Sequence, residues 1–166
     1  MTVNPGRYTA DLQGDFVVFV IGMRFNKPLK IRKWWPVATA MPKMLRTLGE
    51  HHELGCRGPH QWIGRTTILL QYWQDFESLE RFARDRDRPH LKPWRRFNRA
   101  VRASGDVGVW PETYRVRSGE YETIYSNMPT FGLAASSRLV TVAQKANSAA
   151  ARIGATTADA PAVEPY

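Results

Sequence analysis

A single cysteine, Cys56, stands in 166 residues. That excludes an intramolecular disulfide and leaves no thiol cluster for zinc or an iron–sulfur centre, so it reads as a small buried residue. The longest apolar run covers only residues 16–23, far short of the roughly 20 that a membrane-spanning helix needs. The N-terminus also lacks the basic-then-apolar order of a secretion signal, and the chain is therefore expected to be cytoplasmic. Missing too are G-x-G-x-x-G, P-loop, G-x-S-x-G and H-E-x-x-H patterns, so dinucleotide, nucleotide-triphosphate, α/β-hydrolase and zincin chemistries lack their usual signals. Acidic residues are few, 15 against 24 lysines and arginines, for a net charge of +9. Such a balance suits nucleic acid, an anionic surface or an acidic ligand, and position decides among them.

What is present centres on residues 65–101. An apolar run with β-branched and aromatic members, Ile68 to Trp73, predicts a buried central strand over 66–73. Asp75 then offers an N-cap oxygen, and Phe76, Leu79, Phe82 and Ala83 recur on one helical face. Alternating charge and Pro89 interrupt that helix. On the piece that follows, His90, Trp94, Phe97 and Val101 fall at i, i+4, i+7 and i+11, so the imidazole shares an apolar stripe turned to the sheet.

Upstream, residues 1–13 have no periodicity and read as an arm, loose or docked. Residues 15–25 predict a first strand whose core, 16–21, is apolar on both pleat faces and therefore covered on each side. The segment 27–35, KPLKIRKWW, mixes four cations with two tryptophans. It reads as a loop whose tryptophans cover the core, with an anion or membrane-surface contact as the sharper alternative. A helix is expected from Pro36 to about Gly49, kinked at Pro42. His51, His52 and Glu53 have metal-ligand types, but neighbouring helix-end residues diverge, so they read as a polar helix terminus. Two glycines and Pro59 predict an irregular second strand over 54–63, antiparallel to the central one.

Downstream, 107–116 predicts a fourth strand at an edge or bulge and 121–125 a short fifth one. From 136 onward the chain reads as a flexible tail, with few large apolar residues beyond about Val140. Nine of the 24 basic residues lie between Arg81 and Arg102. Arg95, Arg96, Arg99 and Arg102 are spaced along the side away from the aromatics, so a solvated face is expected and nucleic-acid binding is not.

The order β-α-β-β-α-β is the ferredoxin-like, α+β arrangement, with one domain over 14–135. Its helices cover one sheet face only, so a homodimer is expected to bury the other. The chemistry-bearing candidates are His90, the aromatics Trp73, Trp94, Phe97 and Tyr114, and the cations Arg24 and Arg65. Aromatic walls with one basic nitrogen suit a small hydrophobic molecule.

The segments GMRFNKP (22–28), IGRTTILLQYW (63–73), HLKPWRRFN (90–98), GDVGVWPETYRV (105–116) and SNMPTFGL (126–133) resemble the small monooxygenase-like proteins related to the fumagillin-pathway polyketide monooxygenase. The resemblance implies a dimeric α+β barrel with a cavity between sheet and helices. It also implies an oxidoreductase, with haem-degrading enzymes and haem-dependent aldoxime dehydratases among more distant relatives. By that likeness His90, and His90 alone, matches the axial histidine of a haem b; cations such as Arg24 or Arg65 are then expected near its propionates. The asparagine that haem degraders carry inside the first strand has no counterpart, since Asn26 stands only at its end. A lyase of the aldoxime-dehydratase kind and a non-catalytic ligand- or nucleic-acid-binding module are the alternatives.

Overall fold

The computed structural model describes residues 2–85, 95, 99 and 104–161, apart from the side chains at 36, 37, 40, 41, 43, 44 and 47. In chain order the strands are β1 (Val3–Asp11), β2 (Phe16–Phe25), β3 (Cys56–Trp62), β4 (Thr66–Trp73), β5 (Val107–Val116), β6 (Tyr125–Pro129) and β7 (Arg138–Thr141). Among the described residues, the helices with both ends defined are α1 (Ile31–Glu50), α2 (Phe76–Arg84) and the short α3 (Ala149–Arg152), and Arg95 and Arg99 are helical as well. Two compact units result, Val17–Tyr114 and Met1–Phe16 with Arg115–Tyr166. Among the described residues no helix is long and apolar enough to cross a membrane.

The larger unit is built on a four-stranded sheet in the order β3-β4-β2-β5, with β4 antiparallel to both its neighbours. The central position expected for 66–73 is thus observed, as are the bounds of β5. Strand residues alternate between faces. The register Val17↔Trp73, Ile21↔Leu69 and Met23↔Thr67 therefore puts the odd-numbered residues of β2 and β4 on one side. That side carries a core cluster in which Val17, Cys56 and Trp73 meet Leu48 of α1 and Leu79 and Phe82 of α2. The Asp75 carboxylate caps α2 by accepting the Ser78 N–H at 2.6 Å, and hydrogen bonds from the Ser78 side chain and backbone hold its pKa below the usual carboxylate range. Arg81 and Arg84 close the helix at its negative end.

On the opposite pleat face the Trp110 ring lies over Gly22, where any Cβ would run into it. That close approach is why the strand carries a glycine there. β3 shifts register between Cys56 and Gly58, the irregularity its glycines and proline announce.

Three expectations need correction. The helix expected from Pro36 begins at Ile31, so the last five residues of the KPLKIRKWW loop are its first turns. Tertiary contacts outweigh the loop-like composition: Trp34 stacks on Phe25 with centroids 4.6 Å apart and its indole donates to the Pro28 carbonyl at 3.0 Å. Pro42 lies inside this helix, which is assigned without a break from Ile31 to Glu50.

The expected N-terminal arm is instead the middle strand of a three-stranded sheet, β6-β1-β7. A bulge between Asn4 and Arg7, with Gly6 at φ 102°, breaks the alternation that would have revealed it. The fifth strand lies four residues later than expected. Residues 121–123 hold β1 through side chains instead: the Tyr121 hydroxyl accepts the Leu12 N–H at 2.6 Å, and Thr123 Oγ1 accepts that of Ala10 at 2.9 Å.

The third correction is the tail. Arg138–Thr141 pairs with β1, and Val140 and Val142 are buried. Arg152, only 6% exposed, forms an ion pair with Glu122 and donates to the carbonyls of Ala146 and Asn147. This part of the chain is held by charge rather than by apolar area, which a hydrophobic pattern does not report.

Asp11 supplies a pH test of that anchoring. Its carboxylate accepts from Lys145 and Arg138, each at 2.6 Å, and these contacts lower its pKa from the ordinary 3.8 to about 2. A depressed folded value means the stabilisation is complete above pH 3.8 and is lost as pH falls towards 2. Because the two cations are partly solvated, we expect a loss of about 1–2 kcal/mol. Urea midpoints across that window check it, with Asp11→Asn predicted to flatten the dependence.

Candidate functional site

On the helix-covered face of the four-stranded sheet, at the end away from Trp73, lies a cavity of about 200 Å³. Strand alternation delivers its floor: Ile21, Met23 and Phe25 from β2, Thr67 and Leu69 from β4, and Val109 from β5. Gln61 of β3 and Ile63 just beyond it form one wall. Trp34 and Ala38, one helical turn apart on α1, form the roof. The stacking of Trp34 on Phe25 joins roof to floor.

Among the described residues, the lining side chains other than Gln61 and Thr67 are apolar and none titrates. Thr67 Oγ1 donates to the Gly64 carbonyl at 3.4 Å. The Gln61 carboxamide is then the strongest hydrogen-bonding group the wall turns to a ligand. Such a wall holds an apolar molecule by burial, at roughly 25 cal/mol per Å². It can orient that molecule by one amide and exclude water, while its described residues contribute no acid or base.

The residues singled out in the sequence are scattered. Trp73 lies on the helix-covered face but is fully buried in the core, where its indole donates to Gln71 at 2.8 Å and stacks on Phe82 at 5.4 Å. It does not line the cavity. Arg24 lies on the opposite pleat face and donates to Thr66 Oγ1 at 2.9 Å. Arg65 is exposed just before β4, its carbonyl accepting the Phe25 N–H at 2.9 Å. Tyr114 is exposed and donates to Glu112 at 2.8 Å, a contact that raises its pKa. None of these three is a lining residue. His90, Trp94 and Phe97 lie outside the described residues.

The described histidines, His51, His52 and His60, are not lining residues. His60 sits on the far sheet face, its ring centroid 6.3 Å from that of Tyr72. His51 pairs with Glu53 at 2.7 Å, and with exposed His52 this is the polar helix terminus expected. Among the described residues no three histidine, cysteine or acidic side chains are grouped to hold a metal ion. The Cys56 thiol is pushed up to about 11 by burial and is unreactive.

An apolar wall suits one face of a porphyrin, yet the described lining offers it neither imidazole nor cation. About 200 Å³ also falls below the roughly 300–1,000 Å³ of pockets for larger ligands. The described residues alone do not fit a haem.

The lining itself was missed because β2 is apolar on both faces, so alternation did not say which set faces the helices. Placing Trp34 in a loop hid the roof. The register with β4 would have separated the two sets, and sequence alone does not give it.

A family model described as "Monooxygenase af470-like" matches residues 16–133. A curated protein of Aspergillus fumigatus, "Monooxygenase af470", is 30% identical over 127 residues, which is 69% of this chain and 44% of that protein. The chain thus spans less than half the length of that relative. Among solved structures, an aldoxime dehydratase (OxdRE) in complex with butyraldoxime aligns with a TM-score of 0.63 at 14% identity, over 78% of this chain and 40% of that one. At that identity the likeness is one of fold. A second aldoxime dehydratase aligns with a TM-score of 0.46 at 16% identity, over 84% of this chain and 40% of that one.

Proposed function

The chain belongs to the af470-like monooxygenase family, and from that premise we propose that it oxidises a small hydrophobic molecule held in the cavity beneath α1. The observation that carries the reading is the wall: nine apolar residues and two uncharged polar ones enclose the space between sheet and helix. Binding there removes a hydrophobic substrate from water, and Gln61 fixes its orientation through one polar atom.

Monooxygenation puts one atom of dioxygen into the substrate and releases the other as water, consuming two electrons and two protons. Either an electron-rich substrate or an added nicotinamide reductant supplies them. The assay presents hydrophobic small molecules under ¹⁸O₂, with and without reductant, and weighs the products. Gain of one labelled oxygen is expected. Loss of water from an aldoxime such as butyraldoxime, without label, would place the chain with the lyases, and no turnover in either assay would make it a binding module.

Haem b with His90 as its axial ligand is proposed on the family resemblance at that residue alone. A Soret band in protein expressed with haem, lost in His90→Ala, supports it. A spectrum equal to free haem removes it. We also propose that a second copy covers the far sheet face and completes a dimeric α+β barrel. Support comes from Val18, Val20, Ile68 and Leu70, apolar and only half-buried on that face. Light scattering should give twice the 19.0 kDa chain mass, and a monomer would remove the barrel.

A further inference from the structure

The segment leading into α1 and the cavity wall at Ile63 carry large apolar side chains that the fold leaves in water. Leu29 is 93% exposed, Ile31 51%, Trp35 55% and Ile63 84%. Ile63 lines the cavity while being this exposed, so it marks the rim. Trp35 stands beside the roof residue Trp34, their rings 6.0 Å apart.

The segment carrying three of these residues is ordered. Successive turn bonds run from Lys30 N to Lys27 O at 3.0 Å and from Lys33 N to Lys30 O at 2.9 Å. From behind, the buried carboxylate of Asp106 holds Lys30 at 2.9 Å and Lys27 at 3.3 Å. Leu29 is therefore held outward at the crest, and exposing it is a feature of a fixed turn. Cations surround it: Lys27 and Lys30, both paired with Asp106, and Arg32 and Lys33. Arg32 and Lys33 stand in the first turn of α1, which has no acidic residue. There the positive end of the helix dipole opposes them.

We propose that this rim docks on an anionic lipid surface, the apolar side chains entering the headgroup boundary and the cations meeting lipid phosphates and carboxylates. Tryptophan and leucine interleaved with lysine and arginine is the composition such contacts use. A second copy of the chain is a poorer occupant, because a two-fold interface would set this cation cluster against itself. The docking stands whatever the cavity does. If the cavity binds a hydrophobic substrate, the same arrangement points its mouth at the phase where that substrate dissolves.

The test is co-sedimentation of the full chain with phosphatidylcholine vesicles, with and without phosphatidylserine, at low and high salt. Binding is expected only with phosphatidylserine and should weaken with salt. Leu29→Ser with Ile63→Ser, both at exposed positions and so without effect on thermal unfolding, should bind about tenfold more weakly. Arg32→Glu with Lys33→Glu should lose about tenfold or more. Arg95→Glu with Arg99→Glu makes the same charge change at exposed residues of another helix and should stay within about twofold. Equal loss in both charge variants would reduce the effect to bulk charge and overturn the proposal. So would binding to neutral vesicles alone, retention by polyglutamate but not by vesicles, or a mass halved in solution by the serine pair.

Discussion

Trp73→Ala should cost the protein about 3–5 kcal/mol through the cavity left in the core. A further ~1–3 kcal/mol should follow from stranding the Gln71 side chain, whose oxygen accepts the indole N–H at 2.8 Å while the residue is 2% exposed. Domains of this size are stable by about 5–15 kcal/mol, so the variant should be largely unfolded or soluble only in part. Urea denaturation followed by circular dichroism measures it. Trp73→Phe keeps most of the packing on Phe82 and should lose less. A Trp73→Ala protein of ordinary stability with altered ligand binding would return the residue to the cavity wall, where its sequence context first suggested it.

A change of the opposite kind belongs at Ala38. It is the small residue of the roof, one turn from Trp34 and within the cavity lining. Ala38→Trp should place an indole in the space beneath α1 without disturbing the Trp73 cluster. Substrate excluded or displaced by even an ångström loses about a hundredfold in kcat/KM, while thermal stability should fall by no more than about 1–3 kcal/mol, the range for overpacking. Paired kinetics and thermal melts on wild type and variant check this. Unchanged turnover would move the site elsewhere.

These two tryptophan experiments mark what the residues disclosed and what they concealed. Strand β4, its central place and the cap at Asp75 follow from local chemistry: a β-branched and aromatic run, then a short carboxylate before a helical stripe. The order of elements in the larger unit follows from the same signals. The cavity does not. Ile21, Met23 and Phe25 were in view as strand residues, but their common face depends on the register with Thr67 and Leu69, a contact between segments more than forty residues apart.

Trp34 looked like a loop residue until its partner Phe25 was known. In the smaller unit β1 was hidden by a bulge and a glycine of positive φ. The segment around Arg152 was hidden because its anchor is one buried ion pair, a kind of contact without periodicity. The family resemblance reached the monooxygenase assignment directly, and it singled out His90 by helix position rather than by any contact.

The most direct test of the cavity as the binding site is a titration of ¹³C-methyl-methionine protein with the substrate that the ¹⁸O₂ screen identifies. Met23 is 7% exposed and lines the cavity, whereas Met128 is 38% exposed on β6 and belongs to the other unit. Saturable displacement of the Met23 methyl resonance, with Met128 unmoved and the effect abolished in Ala38→Trp, is the result this account predicts. A substrate that saturates turnover while leaving Met23 in place would contradict it.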